Sequence, residues 1–167
     1  MPNQVRLLLL QLQGVLLHCP TSLVDANYRF LWCDIGGAGH MSDAQIFNGS
    51  ELKEAMDNRT IGFPQKIHCL YDDEDTPYFL LADDAFALRT NLMKPYSTRG
   101  MTRSQAMYNY RISRGRRVVR NAFGIMANRF RAFLGRMQQS PEVVQLIVKC
   151  YVILHNMMRR RYPGEQP

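Results

Sequence analysis

Apolar residues recur every three or four positions between residues 113 and 133, a stretch without proline. This spacing predicts a helix, because side chains three or four residues apart share one face of an α-helix. Its apolar stripe comprises Val119, Phe123, Met126, Phe130, Phe133, Leu134 and Met137. At about 100° per residue, Arg120 falls roughly 60° from Phe123, on the side away from Val119 and Met126. Arg120 therefore starts at the edge of the stripe, where its stem covers apolar surface or its head faces a cleft.

Two helix-start signals flank this stretch. Thr102, with Gln105 three residues later, is a capping-box pattern that opens the arginine-rich helix. Ser140 followed by Pro141 starts a last helix. The predicted buried stripe of that helix comprises Val144, Ile147, Val148, Tyr151, Leu154 and Met158. Three arginines, residues 159–161, close the helix, where the helix dipole favours cations.

The first half of the chain predicts strands and short helices. Leu23 and Val24, a polar corner at residues 25–27 and an alternating stretch at residues 28–34 indicate a β-hairpin. Ser42 and Ser50 are in position to cap two short helices. The glycines at positions 36, 37 and 39 form a loop without a dinucleotide-binding pattern. The acidic run at residues 72–75 is interpreted as a solvated loop, since calcium-loop spacing is absent.

A short apolar run, residues 78–82, ends abruptly in Asp83 and Asp84. Such a run predicts a strand that is buried on both faces. Open α/β sheets place their functional groups at the carboxyl ends of strands. Asp83 and Asp84 are therefore candidate functional residues, although the pattern alone also fits an ordinary strand end.

Charge divides the chain into two halves. The length of 167 residues fits one domain, and the net charge is +7. Residues 1–98 carry 7 Lys and Arg against 12 Asp and Glu, whereas residues 99–167 carry 14 against 2. A concentrated basic surface is the footprint expected of a protein that binds a polyanion such as nucleic acid. A helical pair with a solvated basic face is the structural alternative.

The cysteines and histidines indicate no metal site of their own. Four widely spaced cysteines form no Cys-x-x-Cys pair, so neither a zinc site nor a disulfide framework is indicated, and a reducing compartment fits best. His155 is expected to be a packed helix residue. An apolar run near the N-terminus, within residues 7–17, is too short to span a bilayer, so we expect no membrane association.

The arginine-rich helix carries the sequence Ser-Arg-Gly-Arg-Arg-Val-Val-Arg-Asn-Ala-Phe-Gly at residues 113–124. It resembles the last catalytic motif of the PIF/Harbinger transposases and the nucleases derived from them, a DDE endonuclease family. There the motif reads Ser-Arg-Ala-Arg-Arg-Val-Val-Glu-Asn-Ala-Phe-Gly. The resemblance extends from about residue 22 to residue 162 and includes, in the family's order, residues 23–30, 42–47, 78–86, 130–131 and 150–156.

The resemblance implies an α/β domain with an RNase H-like fold. It also implies a nuclease that holds two divalent ions, Mg²⁺ or Mn²⁺, with two Asp and one Glu for in-line attack on DNA phosphate. Asp83 matches the second Asp, with Ala82 in place of the usual Gly. Arg120 stands in place of the Glu, and the first Asp, from an Asp-Gly-x-His strand, is absent. Asp25 is a turn residue and does not replace it. We therefore predict a catalytically impaired chain.

The resemblance also divides the chain into a divergent segment at residues 1–21, a partial endonuclease domain at residues 22–162 and a tail at residues 163–167. The expected domain is N-terminally truncated, with its first catalytic strand missing or scrambled. One hypothesis is that the N-terminal segment is a frame-shifted translation of the family's second strand. Codons allowed for residues 9–20, read one base out of phase, can spell a family-like Tyr-Asn-Tyr-Lys segment.

Four functional hypotheses follow from these patterns. The first is an active nuclease of the Harbinger type in the nucleus. The second is a non-enzymatic DNA-binding protein that contacts phosphates through Arg111, Arg114, Arg116, Arg117, Arg120, Arg129 and Arg131. The third is a module that contacts a Myb/SANT-like DNA-binding protein, as the family's members are thought to do. The fourth is a truncated product without function.

Overall fold

The structure, a computed structural model, describes residues 8–12, 21–36, 43–62, 67–68, 75–76, 79–135 and 137–162. The predictions for Ser42, for the glycines at positions 37 and 39, and for residues 72–74 of the acidic run lie outside these ranges. Most of the divergent N-terminal segment and the C-terminal tail lie outside them as well.

A mixed sheet of five strands forms the centre of the described fold, in the order β3-β2-β1-β6-β7. Strand β1 pairs antiparallel with β2 and β2 antiparallel with β3, whereas β1, β6 and β7 run parallel. Strands β4 and β5 form a separate antiparallel pair. In chain order the strands are β1 (Leu8–Leu12), β2 (Thr21–Val24), β3 (Phe30–Asp34), β4 (Ile67–His68), β5 (Asp75–Thr76), β6 (Leu80–Leu81) and β7 (Leu92–Met93).

Strand β1 occupies the middle of this sheet, between β2 and β6. It comes from the segment that the sequence marked as divergent, and its five residues, LLLQL, include no acidic residue. The hairpin of β2 and β3 and the buried strand β6 before Asp83 are both observed, as predicted. The expectation that the family's first catalytic strand is missing or scrambled stays a prediction.

Four α-helices accompany the strands in the described part of the chain: α1 (Asp43–Asn48), α2 (Glu51–Asp57), α3 (Arg103–Arg129) and α4 (Pro141–Arg161), with a 3₁₀ turn at Arg131–Leu134. The predicted caps hold helices α2 and α3. Ser50 Oγ accepts a hydrogen bond from the Lys53 N–H, and Thr102 and Gln105 form the reciprocal capping box. Helix α4 begins at Pro141 after Ser140, although Ser140 makes no side-chain capping bond.

The two faces of the sheet are covered by different helices. Neighbouring residues of one strand point to opposite faces, and Val24 and Leu23 accordingly belong to different apolar clusters. The cluster around Val24 is completed by helices α3 and α4 through the buried residues Ile112, Val119, Ala122, Phe123, Met126, Val144 and Val148. The cluster around Leu23 is completed by helices α1 and α2 through Phe47, Leu52 and Met56. The predicted stripe of α3 is confirmed at Val119, Phe123 and Met126, which are buried. It is wrong at Leu134, which is 68% exposed, because the helix ends at Arg129 and the chain turns there.

Helix α4 clamps the hairpin through polar side chains. The Asn156 amide accepts a hydrogen bond from the Phe30 N–H (2.9 Å) and donates one to the Phe30 carbonyl (2.7 Å). His155 Nε2 lies 2.7 Å from the Tyr28 carbonyl, and Arg159 Nε donates to the Asn27 carbonyl (3.1 Å). These contacts fix the rotation of α4 against the sheet.

That rotation corrects one prediction about α4. Leu154 was expected in the buried stripe, but it is 43% exposed, and the buried positions near the C-terminal end are His155 and Arg159. The prediction was wrong here because it considered only apolar side chains, whereas the buried positions hold a histidine and an arginine. The expectation that His155 is a packed helix residue is confirmed. Burial lowers the pKa of His155; the bond to Tyr28 opposes this, and the nearby charges of Arg129 and Arg159 lower the pKa further.

The hairpin turn is held by Asp25, as expected for a turn residue. Its carboxylate accepts hydrogen bonds from the Asn27 N–H (2.9 Å) and the Arg29 N–H (3.0 Å). The Arg29 guanidinium binds the same carboxylate with two further bonds, at 2.9 and 2.6 Å. Asp25 is 2% exposed, so its carboxylate contacts groups of the turn and not solvent.

We predict that Asn156→Ala lowers the free energy of unfolding by about 2–3 kcal/mol, because both main-chain groups of Phe30 lose their partner next to the core. Asn109 is a matched control, since it makes the same two bonds to the main chain of the exposed Tyr96. Water can replace those bonds, so we expect Asn109→Ala to cost less than about 1 kcal/mol. Urea denaturation measures both, and equal losses would contradict the clamp.

Candidate functional site

Asp83 lies where the chain leaves strand β6 at its carboxyl end. The Ala82 N–H still donates to the Met93 carbonyl of β7 (2.8 Å), which keeps the strand paired up to the residue before Asp83. Asp83 Oδ1 accepts a hydrogen bond from the Asp84 N–H (2.7 Å). Asp83 Oδ2 accepts one from Arg116 Nη2 (2.7 Å), so both carboxylate oxygens have a partner.

Asp83 and Arg116 form an ion pair that is largely shielded from solvent. The side chain of Asp83 is 28% exposed and that of Arg116 is 13% exposed. Burial alone would raise the pKa of Asp83, but hydrogen bonds from Asp84 and the charge and hydrogen bond of Arg116 outweigh it and hold the pKa below its ordinary value. Asp83 is therefore ionised at neutral pH, and its charge is balanced by Arg116.

Arg116 faces the sheet because of its place on helix α3. It precedes Phe123 by seven residues, close to two helical turns, so the two residues lie within about 20° of each other around the helix. The long stem of an arginine can lie along apolar surface while its head reaches a polar group at the rim. Arg116 Nε is buried and finds no hydrogen-bond partner among the described residues. The seven-residue spacing between Arg116 and Phe123 is visible in the sequence, and it could have predicted that Arg116 faces the sheet and reaches Asp83.

Arg120 follows Arg116 by one helical turn on the same side of α3. A small pocket of about 40 Å³ is lined by Ser113, Arg116, Arg117 and Arg120. Arg120 and Arg117 are exposed at the mouth of this pocket, whereas Arg116 is half-buried. Arg120 thus lies beside the arginine that binds Asp83, and three arginines line the pocket.

The other predicted basic residues are not brought to this pocket. Arg111, Arg114, Arg117 and Arg120 are spaced by three residues, so successive members turn by about 60° around the helix. They form an exposed ridge that winds along α3 rather than one flat face. Arg129 lies near His155, whose pKa it lowers, and Arg131 belongs to the 3₁₀ turn. Of the seven arginines predicted to contact DNA, Arg116, Arg117 and Arg120 line this pocket, and the other four do not.

The strand next to β6 supplies no second carboxylate. Strand β1 pairs with β6 through Leu8–Leu80 and Leu9–Leu81, and its sequence, LLLQL, contains no acidic residue. Asp84 is exposed, and its carbonyl accepts a hydrogen bond from Lys94 (3.0 Å). Across the residues that the structure describes, no group of three or more His, Cys, Asp or Glu could hold a metal ion.

Comparison with known proteins identifies the class of this domain. A family model described as DDE superfamily endonuclease matches residues 20–156. The chain therefore belongs to the DDE superfamily of endonucleases, whose members act on DNA and generally use divalent metals. The mixed α/β architecture is compatible with such a domain. No curated protein matches the chain, and neither does any solved structure.

Within the ranges that the structure covers, no helix combines the length and the apolar character needed to cross a bilayer.

We predict that Arg116→Ala raises the pKa of Asp83, because the carboxylate loses its hydrogen-bonded cation. Arg117→Ala is the matched control: it removes the same charge one residue further along, from an exposed side chain, and should leave the pKa of Asp83 nearly unchanged. A pH titration of the Asp83 carboxyl carbon by NMR measures both. An unchanged Asp83 pKa in Arg116→Ala, or an equal rise in Arg117→Ala, would contradict the assigned ion pair.

Proposed function

We propose that this chain is a DNA-binding, catalytically impaired derivative of a PIF/Harbinger-type transposase nuclease. The observation that carries the proposal is that, among the described residues, Asp83 is the one carboxylate of the family's set at this site, where Arg120 stands in the position of the family's Glu and Arg116 binds Asp83. The RNase H-like fold is part of the same proposal. It is supported by the order β3-β2-β1-β6-β7, in which only β2 runs against the other four strands.

The residues at the site do not fit two divalent ions. Mg²⁺ and Mn²⁺ prefer anionic oxygen ligands, and one carboxylate seldom holds two such ions. Here the acidic ligand is Asp83, and Arg116 and Arg120 line the adjacent pocket. Two unit charges about 4 Å apart interact by about 4 kcal/mol at an effective dielectric constant near 20. Replacing a carboxylate by a guanidinium beside an ion therefore turns an attraction of this size into a repulsion.

The same charges favour a nucleic-acid phosphate. Arginine presents a planar set of donors that matches phosphate oxygens, and such contacts supply most of the sequence-independent affinity for DNA. Arg117 and Arg120 are exposed at the pocket, and the ridge continues through Arg114 and Arg111. In this proposal DNA is bound where the family cleaves it, without a metal-dependent reaction. Residence in the nucleus and contact with a Myb/SANT-like protein belong to the proposal through the resemblance alone.

We predict that DNA binding weakens steeply with salt and that Arg120→Ala reduces the salt slope. Each lost phosphate contact should lower the magnitude of the slope of log affinity against log salt by about 0.9 for duplex DNA. Arg59→Ala is the matched control, since Arg59 is an exposed cation after helix α2, which covers the other face of the sheet. Fluorescence anisotropy at several salt concentrations measures the slopes. No binding at low salt, or equal slopes for wild type and both variants, would contradict the DNA interface.

We also predict that the purified protein does not nick supercoiled plasmid DNA in Mg²⁺ or Mn²⁺. The physical reason is the missing carboxylate pair around Asp83. Agarose electrophoresis of the plasmid measures nicking, with a chelator as the blank. Nicking that disappears in Asp83→Ala would refute the proposed impairment, whereas nicking that persists in that variant would point to a contaminating nuclease.

A further inference from the structure

Helix α4 carries a second apolar face, which points away from the core. Val143, Leu146, Ile153, Leu154 and Met157 are 43%, 60%, 59%, 43% and 61% exposed, and Cys150 is also exposed. The side chains that contact the sheet lie on the other side of the helix, where Val144, Val148 and His155 are buried. Leu146 and Cys150 lie about 160° around the helix from Val148, on either side. This helix is therefore apolar on two opposite faces.

The exposed face has the spacing of a helix–helix seam. Val143, Leu146, Cys150, Ile153 and Met157 follow one another at intervals of 3, 4, 3 and 4 residues. That alternation is the heptad pattern with which two α-helices pack side by side. At 1.5 Å per residue the seam is about 21 Å long. A scattered set of surface apolar residues would not keep this interval over two heptads.

The seam is also nearly symmetric along its length. Measured from Cys150, its other members lie seven and four residues before it and three and seven residues after it. A second copy of the same helix running in the opposite direction presents matching positions, with Leu146 near Ile153 of the other copy and Val143 near Met157. Self-complementarity of this kind is what a two-fold interface between identical chains requires.

The charges at the two ends of α4 favour the antiparallel direction. Glu142 lies in the first turn, and the exposed Arg160 and Arg161 lie in the last. Antiparallel helices place Glu142 of one copy beside the arginine end of the other. Parallel helices would place both arginine ends together, where like charges repel. The helix dipoles are aligned favourably in the antiparallel arrangement as well.

We propose that this chain forms a two-fold symmetric dimer through the seam of Val143, Leu146, Cys150, Ile153 and Met157, with the two α4 helices antiparallel. Cys150 lies near the middle of the seam, so the two Cys150 side chains approach each other near the two-fold axis. The arginine ridge of α3 is a separate surface and does not contribute to the seam. The proposal is independent of whether the chain binds DNA.

The first test is the oligomeric state of the full chain, measured by sedimentation at micromolar concentration. We expect a dimer, and we expect Ile153→Glu to raise the dimer dissociation constant at least tenfold, because it places charges in the seam. Leu88→Glu is the matched control, since Leu88 is 65% exposed but lies before β7, outside α4. Circular dichroism checks that the variants keep their helices. A monomeric wild type, or a dimer that Ile153→Glu leaves intact, would overturn the proposal.

The second test is disulfide cross-linking. A chain that keeps Cys150 and has Ser at its other three cysteines is oxidised, and we expect a covalent dimer that is absent when Cys150 is also Ser. For the direction, chains with Val143→Cys and with Met157→Cys, each without native cysteines, are mixed and oxidised. From an equal mixture, antiparallel packing predicts a mixed dimer well beyond the twofold excess over each homodimer that random pairing gives. No cross-link through Cys150, or homodimers through position 143 alone, would contradict the antiparallel seam.

Discussion

The ion pair between Asp83 and Arg116 connects the two halves of this molecule. It joins the carboxyl end of β6, in the acidic half of the chain, to the centre of α3, in the basic half. The pair is largely shielded, so removing either partner alone would leave a poorly solvated charge, which is costly. The contact also sets the electrostatics of the site. The carboxylate at the sheet edge is neutralised internally, and the adjacent surface, with Arg117 and Arg120, is positive.

A second set of polar contacts joins helix α4 to the hairpin, away from Asp83. His155 and Asn156 bind main-chain groups of Tyr28 and Phe30, and Arg159 extends the same clamp to Asn27. The Phe30 ring packs against the rings of Phe123 and His155, with ring centroids 5.0 and 5.2 Å away. The hairpin, α3 and α4 therefore meet at Phe30. His155 and Asn156 therefore stabilise the fold, whereas residues 113–124 both pack in the core and contribute to the candidate site.

The helices and the hairpin were predictable from sequence because local signals specify them. Thr102 with Gln105, Ser50 and Pro141 mark helix starts through contacts within a few residues, and apolar periodicity identified the buried side of α3. Long-range pairing carries no such local mark. The position of β1 in the sheet, the inward turn of His155 and Arg159, and the choice of Arg116 rather than Arg120 as the partner of Asp83 all depend on residues distant in sequence. The resemblance directed attention to Arg120, and the helical position of Arg116 relative to Phe123 was the signal that was missed.

The central claim is the proposal that Asp83 of this endonuclease domain, paired with Arg116 and close to Arg120, holds no pair of divalent ions. The most direct measurement is diffraction from crystals of this protein soaked in Mn²⁺, recorded at a wavelength where manganese scatters anomalously. The account predicts no pair of ions at Asp83 and an intact Asp83–Arg116 contact. Two Mn²⁺ ions coordinated by Asp83, with Arg116 displaced, would contradict it.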